Sequence, residues 1–154
     1  MKAFSYYFNS VMKDVTAFGG ITFYVVLLVF SYFYSMNVFW TLLAGLFLMY
    51  IINVPLKLLF FKHRPAKMEY KAVWEKFEAS SFPSVHSARV VFLALVFWAT
   101  AADVLLKAFV ILVAALVMAS RVWLKKHFWS DVVAGIVSGL VVFYVAENIV
   151  ALIL

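Results

Sequence analysis

The chain lacks cysteine and glutamine altogether, and carries only seven Asp and Glu among its 154 residues. Without cysteine there is no disulfide framework and no thiolate metal site. Charge of either sign is scarce: Asp, Glu, Lys and Arg make up 13% of the residues, hydrophobic types 68%. A soluble globule carries about a quarter charged residues, so this composition excludes one and reads as an integral membrane protein of one domain, residues 1–154. A chain mostly inside lipid also excludes nucleic acid as a partner, despite its net charge of +6. That excess fits anionic head groups, a phosphorylated substrate or a cytoplasmic face. No cleavable signal peptide is evident: the first apolar run starts near Phe18, no small-residue cleavage site follows it, and it reads as an uncleaved first span.

What is present is hydrophobic periodicity. Phe4, Phe8, Val11, Met12 and Val15 recur at helical spacing, with Ser5, Asn9, Lys13 and Asp14 on the other side. That pattern predicts a helix over residues 1–15 lying in the membrane interface. A span needs about 20 mostly apolar residues, and Val15–Tyr34 and Val38–Lys57 supply the first two. Residues 88–124 have neither Gly nor Pro and are too long for one span. A turn near residues 100–107 divides them into a third and a fourth. The fifth runs from about Asp131 to the last residue. Between the second and third, residues 62–84 form a polar loop in which Tyr70, Val73, Trp74 and Phe77 share one helical face. This predicts a short amphipathic cap helix on the membrane surface. The fold class is therefore all-α: a polytopic membrane bundle of five or six transmembrane helices with short interfacial amphipathic helices.

Ionisable residues at the edges of apolar segments need a reason to be there. They fall in three clusters: Lys57 to Pro65, Pro83 to His86, and Ser120 to Asp131. With five spans, all three clusters lie on one membrane face. Lys57 and Arg64 are seven residues apart, close to two helical turns, so both can point to one side. Pro65 then ends the helix. With Arg121 from another span these cations can neutralise a phosphate. Pro83 precedes a helix start at Ser84, whose hydroxyl and neighbouring backbone amides suit an anion. His127 and Asp131 are four residues apart and meet on one helical face, the carboxylate fixing the tautomer of a ring that then attacks. His86 is the acid for the leaving oxygen. The cations supply the charge stabilisation, so no metal or other cofactor is needed.

These residues resemble the type 2 phosphatidic acid phosphatase superfamily, whose pattern is K-x6-RP, then PSxH, then SR-x5-H-x3-D. All ten fixed positions are met, with 17 residues between the first two clusters and 33 between the last two. The third residue of the second cluster, often glycine in lipid phosphatases of this type, is Val85 here. The resemblance implies a membrane lipid phosphatase. Lys57, Arg64, Ser84 and Arg121 would bind phosphate, and His127 would form a phosphohistidine. Asp131 would orient His127, and His86 would serve as general acid and later help activate water. It implies as substrate a phosphate or pyrophosphate lipid: lipid A 1-phosphate, phosphatidylglycerophosphate, phosphatidic acid or undecaprenyl pyrophosphate. The family's soluble branch, the vanadium haloperoxidases, is excluded by the membrane composition.

The bland alternatives are specific. Lys62, His63, Lys125 and Lys126 read as interfacial basics touching head groups. Trp40, Trp74, Trp123 and Trp129 read as aromatic belts, and Gly135 with Gly139 as a close-packing pair. The rival function is a small membrane transporter or anion-binding subunit, which would not need a His–Asp pair four residues apart. Orientation is a conflict between two rules. Twelve of the thirteen Lys and Arg lie on the motif face or in the helix beside it, with Lys107 alone opposite. Positive-inside counting puts that face in the cytoplasm, whereas bacterial relatives work on the periplasmic side of the inner membrane. Because several of those charges serve phosphate binding, the family expectation is preferred.

Overall fold

A computed structural model describes residues 2–66 and 68–154; the side chains of residues 2, 3, 73 and 74 lie outside the description. Seven helices run in order: α1 (Lys2–Ala17), α2 (Ile21–Tyr34), α3 (Met36–Leu59), α4 (Val73–Ala79), α5 (Val85–Thr100), α6 (Val104–Trp123) and α7 (Trp129–Ile153). Among the described residues there is no strand, only an isolated antiparallel bridge between His63 and Ser80. The described residues are all-helical, as the helical periodicity and long apolar runs of the sequence predict.

Helices α3, α6 and α7 are each long and apolar enough to cross a bilayer, and α1 with α2 qualifies as one bent pair. By length and composition that makes three spans, or four with the bent pair, where five or six were expected. The remaining apolar helix, α5, has 16 residues and spends its first turns on the polar residues of the site. The long Gly- and Pro-free run turns at residues 101–103, within the expected window. Asp103 makes that turn by capping α6, its carboxylate accepting from the Leu106 amide at 2.8 Å.

The first apolar run behaves differently from a continuous span. It breaks at residues 18–20, and α1 meets α2 at 41°. Gly19 and Gly20 interrupt helix propensity there. Helix α1 packs on α6 instead of lying free at an interface: Phe8 meets the Trp123 ring edge-on, and Trp123 Nε1 donates to Asn9 at 2.8 Å.

The core joins α2, α3, α5 and α7 through Tyr24, Leu42, Met49, Phe92, Val96, Val142 and Ala146. The Tyr24 hydroxyl is kept from being an orphan by donating to the Leu42 carbonyl at 2.7 Å. The Gly135–Gly139 pair lets α7 lie against the backbone of α5. A Cβ at Gly135 would come within 2.4 Å of the Ser84 carbonyl, and one at Gly139 within 2.6 Å of the Ala88 carbonyl. This close approach sets the start of α7 beside the start of α5, and the Ser84 amide donates to the Asp131 carbonyl at 3.0 Å.

Candidate active site

The three sequence clusters come together at one end of the bundle. Lys57 ends α3, Ser84 and His86 begin α5, Arg121 ends α6, and His127 and Asp131 flank the start of α7. Arg64 comes from the connection between α3 and α4.

Arg64 is not on the helix that carries Lys57, since α3 stops at Leu59, six residues before Pro65. The backbone finds other partners. The Ser81 amide donates to the Lys62 carbonyl at 2.7 Å, and the Ser81 hydroxyl to the His63 carbonyl at 3.3 Å. Residues 61–64 thus lie beside 80–82 rather than extending α3. Lys57, 4% exposed, donates to the Ser80 carbonyl at 2.6 Å and lies 5.2 Å from the Phe77 ring centroid. Arg64 donates to the Glu78 carbonyl. The seven-residue cap helix α4 links these two anchors. Its N-terminus is held by Glu75, which accepts from the Lys71 and Ala72 amides; those bonds lower its pKa. Val73 and Trp74, expected on the apolar face of this helix, have side chains outside the described residues.

His127 lies one residue before the Phe128 N-cap, not on the helix itself. Its Nδ1 is 2.7 Å from the Ser81 carbonyl, a contact that requires the ring to donate. Asp131 Oδ2 is 4.0 Å from that nitrogen and accepts from the Phe128 amide at 2.8 Å. The expected direct His127–Asp131 bond is therefore not made in this geometry. The N3 carboxylate caps its own helix, and a loop carbonyl takes the ring N–H. With Nδ1 so engaged, Nε2 is the nitrogen left with a free lone pair. Burial, then the Arg121 guanidinium, push the His127 imidazole down to about 3, against the opposing pull of the Ser81 carbonyl. His127 is thus neutral throughout the physiological range.

Three buried guanidinium nitrogens, the Nε atoms of Arg64, Arg89 and Arg121, have no partner among the described residues. Unpaired buried donors are rare and call for an acceptor. The other ends of two of these groups are fixed: Arg121 donates to Thr16 Oγ1 at 2.9 Å and Arg89 to the Gly19 carbonyl at 2.9 Å. Ser84 is fully buried and caps α5, its oxygen accepting from the Ser87 hydroxyl at 2.9 Å. His86 sits against Gly19, where an added Cβ would come within 3.2 Å of its ring. Among the described residues no three His, Asp or Glu side chains converge as a metal-ligand set; the charge available to an anion is that of Arg and Lys.

Four contributors were not expected from the sequence. Arg89 lies one turn beyond His86 inside an apolar helix, where an ionisable residue is itself a signal. The Gly19–Gly20 pair marked the break that brings Thr16 and Gly19 to the site. The Ser81 carbonyl leaves no signature in side-chain identity. Lys62, expected to touch head groups, donates instead to Asp131 Oδ1 at 2.7 Å and to Ser130 Oγ at 2.9 Å.

The PAP2 superfamily profile matches this chain over residues 38–152, which contain every clustered residue above. The chain belongs to the PAP2 superfamily. Its fold is similar to that of two solved structures. LpxE of Aquifex aeolicus has a TM-score of 0.77 at 23% identity, over 92% of this chain and 86% of that one. The transmembrane PAP2-type phosphatidylglycerolphosphate phosphatase of Bacillus subtilis has a TM-score of 0.71 at 23% identity, over 93% and 76%. No curated protein matches the chain significantly. The PAP2 assignment and the apolar helices make this a multi-pass membrane protein.

Proposed function

We propose that this PAP2 protein is a membrane lipid phosphatase that cleaves a phosphate or pyrophosphate monoester from a lipid through a phosphohistidine on His127. The observation that carries this proposal is the neutral, buried His127 with Nδ1 tied down, in a site where the Nε donors of Arg64 and Arg121 have no acceptor among the described residues. Oxygens of a phosphoryl group are the acceptors that such donors suit.

In the first step His127 Nε2 attacks phosphorus. The N–P bond forms as the P–O bond to the lipid breaks, and His86, protonated once the phosphate's negative charge offsets the Arg121 and Arg89 cations beside it, gives its proton to the leaving oxygen. In the second step His86 takes a proton from water. The oxygen attacks phosphorus, the N–P bond breaks, and inorganic phosphate leaves. Lys57, Arg64 and Arg121 face the charge that builds on the equatorial oxygens, with Ser84 at the start of α5. The steps balance without a metal.

A lipid substrate suits the surroundings. A lateral cleft of about 440 Å³ between α3 and α7 is lined by Leu56, Phe60, Phe82, Pro83, Ala134 and Val137, among others. Phe82 and Pro83 adjoin Ser84, so an acyl chain can lie in lipid while its phosphate enters the site. The site faces the periplasm of the inner membrane, where a phosphorylated lipid head group is reached from outside. The test is a panel of purified lipids (phosphatidic acid, phosphatidylglycerophosphate, undecaprenyl pyrophosphate and lipid A 1-phosphate) assayed for released phosphate in EDTA. Release from at least one by wild type, lost in His127→Ala, is expected. Full turnover by His127→Ala would overturn the mechanism.

A further inference from the structure

The contacts of Asp131 leave one question open. It is a fully buried carboxylate beside a histidine that has to stay neutral. A buried carboxylate needs a cation or several donors, and the nearest ring able to become a cation is His127, 4.0 Å away. If Asp131 had no other partner, its charge would draw a proton onto that ring and remove the lone pair that attacks.

From these distances we propose that Lys62 is a positioning residue of the site. It neutralises Asp131 and so adds to the burial and the cations that already hold a proton off His127. The proposal rests on His127 being the nucleophile. Lys62 Nζ donates to Asp131 Oδ1 at 2.7 Å and to Ser130 Oγ at 2.9 Å, and lies 4.5 Å from the Phe128 ring centroid. Its side chain is 39% exposed while Asp131 is fully buried. The ammonium therefore caps the carboxylate from the solvent side. With Oδ1 on Lys62 and Oδ2 on the Phe128 amide, both Asp131 oxygens are engaged away from the imidazole. Nδ1 of His127 is then free to donate to the Ser81 carbonyl, a neutral acceptor that orients the ring with less pull on a second proton.

Other groups face this pair. Arg121 from α6, with Arg64 and Lys57 from the α3 side, bears on His127; His86 from α5 is close enough to feel its charge, and Lys57 also feels Asp131. The three cations disfavour a proton on His127 from one side. Lys62 acts from the other, on the carboxylate 4.0 Å from the ring. A head-group contact, the bland role for such a lysine, would leave its amine pointing outward. Here its partners are Asp131, Ser130 and Phe128, all at the start of α7.

The test uses the full chain in detergent micelles with ¹⁵N-labelled histidine, the His63 and His86 signals being assigned with His63→Gln and His86→Gln. In Lys62→Met the His127 titration midpoint should rise by about one pH unit or more, and Lys62→Arg should leave it near the wild-type position. In the Asp131→Asn background, which removes the buried charge and with it any folding penalty for losing Lys62, Lys62→Met should not move the midpoint. An unchanged midpoint in Lys62→Met, or the same shift in both backgrounds, would overturn the proposal. Turnover gives a second readout on a short-chain phosphatidic acid. Lys62→Met should lose kcat below about pH 5, as pH approaches the raised midpoint, and match wild type toward neutrality, with KM unaltered; a rise in KM at every pH would instead mark a head-group contact. The titration does not depend on turnover, so a wild type that releases no phosphate overturns the phosphatase function and not the role of Lys62.

Discussion

In the proposed mechanism His127 carries the chemistry, because its surroundings settle both its tautomer and its charge. A histidine with a folded pKa near 3 and an ordinary value near 6.5 is neutral in the native state and charges first on unfolding. Its contribution to stability is fully present above pH 6.5 and is lost as pH falls toward 3. Wild type should therefore lose stability relative to His127→Gln over that window, by at most about 1.4 kcal/mol per pH unit; thermal unfolding in detergent at a series of pH values checks it. Gly19 is the second residue to test. Its absent Cβ leaves room for Val117, 2.9 Å from where the atom would be, and for the His86 ring at 3.2 Å. Gly19→Ala should displace His86 and lower kcat by about tenfold or more, with the steady-state rate as the measure. A Gly20→Ala control meets only the α1 backbone and should spare the rate relative to Gly19→Ala.

At the scale of elements, the start of α7 lies against the start of α5 because two glycines let the helices touch. Gly135→Ala puts a Cβ 2.4 Å from the Ser84 carbonyl, a backbone atom with nowhere to go. It should destabilise the protein by about 1–3 kcal/mol and, by moving Ser84 away from Asp131, lower turnover as well; unfolding and rate measured on one preparation check both. This pairing was legible in the sequence, because a small-x-x-x-small stripe has a packing meaning wherever it falls. The turn of the Gly- and Pro-free run was legible too, since Asp103 is a capping residue at its centre. The connection from α3 to α5 was less so. Lys57 and Arg64 at helical spacing implied one long helix, but the peptide groups of residues 62 and 63 find partners at Ser81, and no side chain announces a backbone-to-backbone choice. The same holds for His127. Its distance from Asp131 was readable from the i, i+4 spacing, but that a carbonyl would outcompete a carboxylate for its N–H was not. The break in the first apolar run was written in Gly19–Gly20, yet hydropathy alone passes over glycine.

For the whole molecule, the bundle gathers residues spread over 75 positions of sequence, from Lys57 to Asp131, at one end. The clusters could be assigned to one face from the sequence alone, because the parity of apolar runs is a coarse property that survives errors in their ends. The number of spans is not so robust: α2 and α5 are short, and crossing depends on how the bent α1–α2 pair lies in lipid. Which compartment the site faces follows from neither helix order nor charge counting, since several of the basic residues counted are also those proposed to meet the phosphate. An exposed loop position answers it. Glu69→Cys, on the solvent side of the connection to α4, should react with a membrane-impermeant thiol reagent in intact cells whose outer membrane is permeabilised. Protection until the inner membrane is opened would place the site in the cytoplasm.

The phosphohistidine is the claim on which the rest depends. Wild type and His127→Ala would be mixed with ³²P-labelled phosphatidic acid, quenched in alkali, where a phosphohistidine survives, and mapped by peptide mass spectrometry. Label on the peptide containing His127 in wild type, and on no peptide in His127→Ala, is the predicted result. Phosphate release by His127→Ala at the wild-type rate, or label on any residue other than His127, would contradict it.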